Sequence, residues 1–268
     1  MNCRRGAARS RHGVRRANPD DGGVRLSIAG LRRGLLLALP VIVMLSGCRG
    51  GENLPPIPDG IPPGVGLPIP AIDLDAPGRA AEQLRDWARG QSGVLRVPVV
   101  ALEAYGYAAA VMARSAPRCG IGWTTVAAIA RTESRHGSHA GSHVDDDGEV
   151  RPPIRGVPLD GSPGVARVLD QEATANAGNP VYVRAEGPFQ FLPETWQHWG
   201  VDANGDGRAD PDDIDDAALT AARYLCASGG DLRGARGWQQ AILTYNQSTD
   251  YLLTVRNAAA AYSVGRDL

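Results

Sequence analysis

The sequence predicts a mainly α-helical fold for the residues after position 78. Apolar residues recur at helical spacing in several segments, of which residues 99–115 form the clearest. No clear set of alternating apolar and polar segments predicts strands. The 268 residues are enough for one large domain or two small ones, and we expect one domain over residues 79–268.

Helices are expected in five places along this domain. The segments are residues 79–89, 99–115, a stretch that ends near Glu133, 215–227 and 238–262. Residues 138–178 show no period and are rich in Gly, Pro and Asp. We expect an irregular insertion there, because long stretches without a pattern inside a domain are usually functional or disordered.

The helix that ends near Glu133 presents a carboxylate on an apolar face. The residues that share this face with it at i, i+3 and i+4 are Val126, Ile129 and Ala130. Gly137 is predicted to stop the helix. Partial burial near the negative end of a helix dipole should raise the pKa of Glu133, as a general acid requires. The alternative is a helix-terminal acid that pairs with Arg131 or Arg135.

Two later motifs favour the catalytic interpretation. Residues 187–196 read Gly-Pro-Phe-Gln-Phe-Leu-Pro-Glu-Thr-Trp, and residues 241–248 read Ala-Ile-Leu-Thr-Tyr-Asn-Gln-Ser. An acid and a Ser at a helix end, followed by these motifs in this order, resembles the lysozyme-like lytic transglycosylases. In particular, residues 97–268 are similar to the membrane-bound transglycosylase B type (glycoside hydrolase family 103) in its actinobacterial lipoprotein form.

The resemblance implies an enzyme that cleaves the β-1,4 bond between N-acetylmuramic acid and N-acetylglucosamine in peptidoglycan, leaving 1,6-anhydromuramic ends. Glu133 would act first as the acid and then as the base. Only Glu133 lies in a catalytic motif, and Asp145–Asp147 and Glu186 are second-acid candidates by proximity in sequence alone. The alternatives are a hydrolytic muramidase and a peptidoglycan-binding lipoprotein without activity, while a calcium-dependent adhesion module has weaker support.

The resemblance also implies a set of substrate-binding residues. They are Gln190, Tyr245, Asn246, Phe189 and Ser134. Gln190 would bind the glycan or orient Glu133, with a backbone-capping contact as the alternative. Asn246 suits the acetamido group, and Tyr245 would support the cleft or the acid, although either could make a structural hydrogen bond instead.

Three further aspects of these motifs concern supporting positions. Phe189 and Phe191 are expected to line either the cleft or the core, and Ser134 to support the helix end. The chain departs from the family at Val181, where relatives carry a Ser nine residues before the motif Gln. A polar contact near the acid is therefore expected to be absent or supplied by another group.

Residues 202–213 fit the twelve-residue calcium loop of EF-hands. The predicted ligands are Asp202, Asn204, Asp206, Asp210, Asp213 and the backbone carbonyl of Arg208. Gly207 occupies the sixth position, and Asp213 stands where a Glu is usual. The resemblance implies such a loop at this place, with calcium structural and no cofactor needed for the chemistry. The alternative is a solvated turn that caps the next helix.

The N-terminal region predicts export. Residues 1–47 are expected to form a signal peptide, with Arg32–Arg33 before the apolar stretch 35–45. Leu-Ser-Gly followed by Cys48 resembles a lipobox, which implies a lipidated Cys48, with a plain signal peptide as the alternative. We expect residues 1–23 to be disordered, with Val24 as an alternative start. Residues 48–78 are rich in proline and predict an extended linker that holds the domain away from the membrane.

Charge and cysteine content indicate which partners and which cellular compartment to expect for this protein. All 28 basic residues are Arg, and residues 48–268 hold 19 of them against 27 acidic residues, which disfavours nucleic acid as a partner. Export and an even count predict a disulfide between Cys119 and Cys226, the alternative being two buried thiols. We expect a monomer, anchored at the outer face of the cell membrane, that acts on peptidoglycan strands.

Overall fold

The structure, a computed structural model, describes residues 55–268 and is mainly helical there, as predicted. Its α-helices are α1 Arg85–Leu95, α2 Val99–Ser115, α3 Trp123–Ser134, α4 Gln171–Ala177, α5 Pro193–Trp199, α6 Ile214–Gly229, α7 Ala235–Tyr245 and α8 Thr249–Ser263. Short 3-10 turns cover Ala80–Leu84 and His139–Gly141. The two-residue strands β1 His143–Val144 and β2 Val150–Arg151 form an antiparallel pair.

The predicted helices occur with small changes at their ends. Helix α2 has the predicted limits, while the first predicted helix becomes a 3-10 turn followed by α1. The last predicted region divides into α7 and α8. It divides because Ser248 caps α8, where its side chain accepts a hydrogen bond from the backbone N–H of Tyr251 at 3.3 Å.

Helix α2 lies at the centre of the core and packs against α1, α3 and α6. Every residue from Val100 to Ala109 is buried, including the charged Glu103. Arg79, just before the first helical turn, donates to Glu103 and to Asp215 of α6, the latter from Nε at 2.6 Å. A charge buried without such a partner would cost several kcal/mol, so this cluster fixes the chain entry against α2 and α6.

Residues 138–178, expected to be irregular, are ordered with the following residues to 186 largely by backbone hydrogen bonds. After the β1–β2 pair, isolated bridges join residue 155 to 186, 160 to 167, and 169 to 182. The amide of Asp170 donates to the carbonyl of Val181 at 2.9 Å, and the side chain of Asp170 caps α4. The insertion has no apolar period because these pairings, rather than a packed face, give it its form.

The proline-rich segment is docked over much of its length, which corrects the expectation of a free spacer. The indole N–H of Trp123 donates to the Leu67 carbonyl at 3.0 Å, and the Thr124 hydroxyl donates to the Gly64 carbonyl at 2.7 Å. A Cβ on Gly66 would lie 2.7 Å from the Trp123 ring, so the segment approaches α3 closely. The sequence pattern indicated the extended backbone but not the surface that binds it.

The predicted signal peptide, Cys48 and the start of the linker lie outside the described residues. Within residues 55–268, no single helix is long and apolar enough to cross a membrane, although one sharply bent pair, Ala80–Leu95 with Val99–Ser115, meets the criteria of length and composition.

The predicted disulfide is confirmed. Cys119, in the loop before α3, is bonded to Cys226 of α6, and their Cα atoms are 5.4 Å apart. The two cysteines are 107 positions apart, so the bond closes a long loop in the unfolded chain.

We expect the double variant Cys119→Ser, Cys226→Ser to lose roughly 2–5 kcal/mol of unfolding free energy in denaturant titrations, because the unfolded chain regains the entropy of the open loop. Reductant should bring the wild type to the level of this variant and leave the variant itself unchanged. A wild type indifferent to reductant would contradict the assignment.

Candidate active site

Helix α3 carries Glu133 to the edge of the core. Its residues Val126, Ile129 and Ala130 are fully buried, as the apolar face predicted. The helix stops earlier than expected, because Arg135 rather than Gly137 takes the first left-handed conformation, with φ 54°. The amides of Arg135 and His136 then satisfy the last carbonyls of α3.

The Glu133 carboxyl is half-buried and bonded to a tyrosine. The Tyr251 hydroxyl, from the first turn of α8, donates to Glu133 Oε1 at 2.6 Å. Burial raises the pKa of Glu133 to about 7, and the hydrogen bond from Tyr251 opposes that shift without cancelling it. A substantial fraction of this carboxyl is therefore protonated at neutral pH, as a general acid requires.

The alternative of a helix-terminal ion pair does not fit the contacts. Arg131 donates to Asp267 Oδ1 at 2.6 Å instead of Glu133. Among the described residues, Arg135 makes no ion pair. No charged neighbour contributes to the pKa shift of Glu133, so the acid stands apart from both cations.

Three of the four candidates for a second acid pair with arginines, and the fourth, Asp146, is exposed. Arg151 donates to Asp145 at 2.5 Å and to Asp147 at 3.0 Å, and Glu186 lies 3.8 Å from Arg155. None of these carboxylates affects the pKa of Glu133. Within the described residues, Glu133 is thus an acid without a carboxylate partner.

A wall of tyrosines flanks the acid. The Tyr251 ring is parallel to Tyr245, with centroids 6.4 Å apart, and Tyr224 meets Tyr245 edge-on at 5.8 Å. The Tyr245 hydroxyl donates to the carbonyl of Phe189 at 2.8 Å. Tyr245 therefore links the end of α7 to the motif turn and supports Tyr251, which makes it a supporting residue for the acid.

The motif turn, Gly187–Phe191, is held tightly by the backbone. Residues Glu186 and Phe191 exchange backbone hydrogen bonds of 2.8 and 3.0 Å. Gly187 has φ 70°, and a Cβ there would lie 1.7 Å from the Pro211 carbonyl oxygen. Only glycine fits this close approach, which explains the first residue of the motif.

Gln190 lies at the tip of this turn in a strained conformation, with φ 51°. Its Nε2 donates to the Gly187 carbonyl at 2.9 Å, which is the backbone-capping contact considered from the sequence. Its side chain is half-buried, and Oε1 accepts no hydrogen bond from the described residues. The capping bond fixes the amide while leaving its oxygen available to a ligand.

Ser134 and Phe189 have the structural positions that the sequence left open, and not the substrate contacts that the resemblance implies. Ser134 is 2% exposed, where its hydroxyl donates to the Pro188 carbonyl at 2.6 Å and accepts from the amide of Gly137. Phe189 is fully buried against Tyr105. Neither side chain has the exposed surface that a contact with sugar requires. Both residues instead join the motif turn to the core.

Asn246 is exposed directly after Tyr245, where α7 ends. Its backbone amide donates to the Ile242 carbonyl at 3.0 Å, and its side chain makes no hydrogen bond with any described residue. The amide group is therefore free to bind a polar ligand.

The contact of Tyr251 with Glu133 was missed by sequence reasoning. The two residues are 118 positions apart, and only the packing of α3 against α8 brings them together. The feature of the sequence that could have indicated Tyr251 is its position three residues after Ser248, in the first turn of the helix that Ser248 caps. At Val181, where relatives carry a Ser, the backbone amide donates to Thr174 Oγ1 at 2.9 Å. Tyr251 is the polar group that contacts the acid.

The acid lies outside the larger cavities. Four cavities of about 190 to 940 Å³ occur in the described part of the chain, and Glu133 lines none of them. One of them, of about 940 Å³, lies between α2, α6 and the disulfide.

The predicted calcium loop has the chemistry of a hard-cation site. Asp202 accepts the backbone amides of Gly205 and Gly207 at 2.7 and 2.8 Å, and Asn204 Nδ2 donates to Asp213 Oδ2 at 3.1 Å. Carboxylate and carbonyl oxygens suit calcium. However, no three His, Cys, Asp or Glu side chains in residues 55–268 are grouped closely enough to hold an ion. Asp213 also caps α6, as the alternative supposed.

Comparison with known families gives one match. A family model described as a transglycosylase SLT domain matches residues 170–239, a range that contains the motif turn and the acidic loop but not Glu133 or Asn246. No curated protein and no solved structure matches the chain significantly. The family match supports a lytic transglycosylase or lysozyme-like family, peptidoglycan cleavage of that general type, and action outside the cytoplasm.

Proposed function

We propose that the chain is a lytic transglycosylase that cleaves the N-acetylmuramic acid–N-acetylglucosamine bond of peptidoglycan and leaves 1,6-anhydromuramic ends. The observation that carries this proposal is the state of Glu133. Its carboxyl is half-buried, has a pKa raised by burial to about 7, and bonds to an uncharged tyrosine. Such a group can donate a proton and take one back near neutral pH.

The proposed reaction needs only one protein carboxyl. Glu133 donates its proton to the glycosidic oxygen as the bond from that oxygen to C1 breaks. The acetamido group of the muramic sugar stabilises the positive charge at C1, as in substrate-assisted glycosidases. The Glu133 carboxylate then accepts the proton of the 6-hydroxyl, whose oxygen forms the new bond to C1, and no water is consumed.

Tyr251 suits the second half of this cycle. A hydroxyl donor stabilises the carboxylate more than the carboxylic acid, so it favours Glu133 after the first proton transfer. Burial favours the protonated form that starts the cycle. The opposition of these two effects, with burial dominant, holds the pKa near 7.

We propose binding roles for two side chains of the site. The free Oε1 of Gln190 would accept a hydrogen bond from the glycan, and the exposed amide of Asn246 would bind the acetamido group. Tyr245 would hold Tyr251 and the motif turn in place. We also propose that the chain is an exported monomer, lipidated at Cys48, since the lipobox-like motif and the substrate both imply this location.

Purified peptidoglycan treated with the wild type should release anhydromuramic products detectable by mass spectrometry, and Glu133→Gln should lower the rate by roughly 10²- to 10⁴-fold because the acid is lost. Glu82→Gln, a change at an exposed acid that pairs only with Arg85, is the matched control and should keep full activity.

The products separate the alternatives. Reducing muramic ends would indicate a hydrolytic muramidase and contradict the transglycosylase. If the wild type binds peptidoglycan but does not digest it, the enzyme proposal is wrong and the chain is a peptidoglycan-binding lipoprotein without activity.

The Tyr251→Phe variant should move the alkaline limb of the pH–rate profile upward, by up to about one pH unit, because loss of the donor raises the pKa of Glu133 further. The rate at the optimum should fall about tenfold, since the carboxylate also loses its support. Tyr224→Phe, in the same wall but bonded to the Thr244 carbonyl, should leave the limb in place. An unmoved limb in Tyr251→Phe would refute this role.

For the acidic loop we propose a structural calcium site, supported by the spacing of Asp202, Asn204, Asp206, Asp210 and Asp213 and by the Arg208 carbonyl. Bound calcium would neutralise the carboxylates of residues 202–213 and would take no part in the reaction.

Calcium at about a hundred times its dissociation constant should raise the unfolding free energy by about 2.7 kcal/mol, measured by thermal or chemical denaturation with and without chelator. The increase should vanish in Asp206→Ala and persist in Asp250→Ala, an exposed acid of α8. Equal stability with calcium and chelator would argue against the site.

A further inference from the structure

One of the four cavities lies beside the C-terminal end of α3. Its volume is about 790 Å³, and it is bounded by the loop between α1 and α2, by residues 131–138 and by residues 267–268. Three arginines line it, Arg96, Arg131 and Arg135. Glu133 does not line it, although it lies between two of these arginines in sequence, so the acid and the cavity use different faces of the same chain segment.

The positive charge at this cavity contrasts with the rest of the domain. Residues 55–268 contain 18 Arg against 26 Asp and Glu, so most arginines can be expected to face acids. Here three arginines line one cavity together with the Asp267 side chain and the main-chain carboxylate of Leu268, the last residue, which leaves one positive charge in excess. The local excess of positive charge favours an anion from outside the chain.

The cavity already holds a carboxylate of the chain. Arg131 donates to Asp267 Oδ1 at 2.6 Å, and Arg96 Nε lies 3.6 Å from Asp267 Oδ2. Arg131 also donates to the Leu268 carbonyl at 3.0 Å. The planar guanidinium fork suits carboxylate and phosphate groups equally, so Asp267 marks the position that an anionic ligand would take.

Two of the arginines at the cavity, Arg96 and Arg135, are the left-handed C-terminal caps of α1 and α3. Five residues other than glycine in the described range have a positive φ, and Arg96, Arg135 and His136 of these line the cavity. Such conformations cost on the order of 1 kcal/mol or more and concentrate at ligand sites. The buried His136 is held between the hydroxyls of Tyr105 and Tyr262, at 3.1 and 2.9 Å.

We propose that this cavity binds an anionic group, a carboxylate or a phosphate, and that Asp267 occupies the position when no ligand is present. Its volume is in the range of small-molecule sites, so the ligand can be larger than a simple ion. Where the proposed function holds, the source would be an anionic substituent of the wall, either a stem-peptide carboxylate or a phosphate of an attached polymer. That part alone rests on the proposed function.

Calorimetric titration of the full chain with inorganic phosphate and with succinate tests the site. The titrations use the Glu133→Gln background, so that cleavage cannot interfere. Asp267→Asn should bind both anions about three- to tenfold more tightly, because it removes the internal competitor. Arg135→Gln should bind them about tenfold more weakly. Arg114→Gln, at an exposed arginine paired with Asp75, should change nothing.

The two variants should change the affinity for anions in opposite directions. Misfolding would weaken binding in both, so it cannot explain this result. Loss of binding in Arg135→Gln alone, with Asp267→Asn unchanged, would overturn the competition by Asp267. Absence of binding by either anion, or equal binding by all variants, would overturn the site.

The source is tested with two further ligands, a muropeptide with free stem carboxylates and a glycerol phosphate oligomer. The ligand that carries the natural anionic group should bind to the chain, and this binding should be lost in Arg135→Gln. If small anions bind and neither ligand does, the wall source is wrong while the anion site stands. Anion binding by a chain that does not digest peptidoglycan would likewise refute only the proposed function.

Discussion

The site depends on one carboxyl that the fold holds partly out of water. Burial of Glu133 at the end of α3 raises its pKa to about 7, and the Tyr251 hydroxyl at 2.6 Å is the polar group that meets it. Because its pKa is raised on folding, the folded chain binds more protons than the unfolded chain between pH 4.5 and about 7. Stability from this group is therefore present below pH 4.5 and is lost as the pH rises through 7.

The surrounding contacts all position this pair. Packing of α3 against α8 brings Tyr251 to Glu133, Tyr245 holds Tyr251 by stacking, and the motif turn is bonded to both the Tyr245 hydroxyl and Ser134. At the other end of α3, Trp123 and Thr124 bind the proline-rich segment. Helix α3 is thus held at both ends, with Glu133 on one side and the arginine cavity on another.

Features set by local pattern were predictable from the sequence, and features set by distant contacts were not. The limits of α2, the apolar face under Glu133 and the Cys119–Cys226 bond follow from periodicity, burial and export. Whether Phe189 faced sugar or core was open, because a motif gives residue types and not directions. The role of Tyr251 could not be predicted, because its partner Glu133 is 118 residues away in the sequence. The proline-rich segment was predicted to be a linker, because the sequence does not show the surface of α3 against which it packs.

The central claim concerns the protonation of one side chain, so the most direct measurement is its titration. The carboxyl carbon of Glu133 can be followed by carbon-detected NMR from pH 4 to 9, with the Glu133→Gln variant identifying the resonance. The account predicts a midpoint near 7. A midpoint near the ordinary glutamate value of 4.5 would contradict it, since Glu133 would then be ionised at neutral pH and unable to act as the acid.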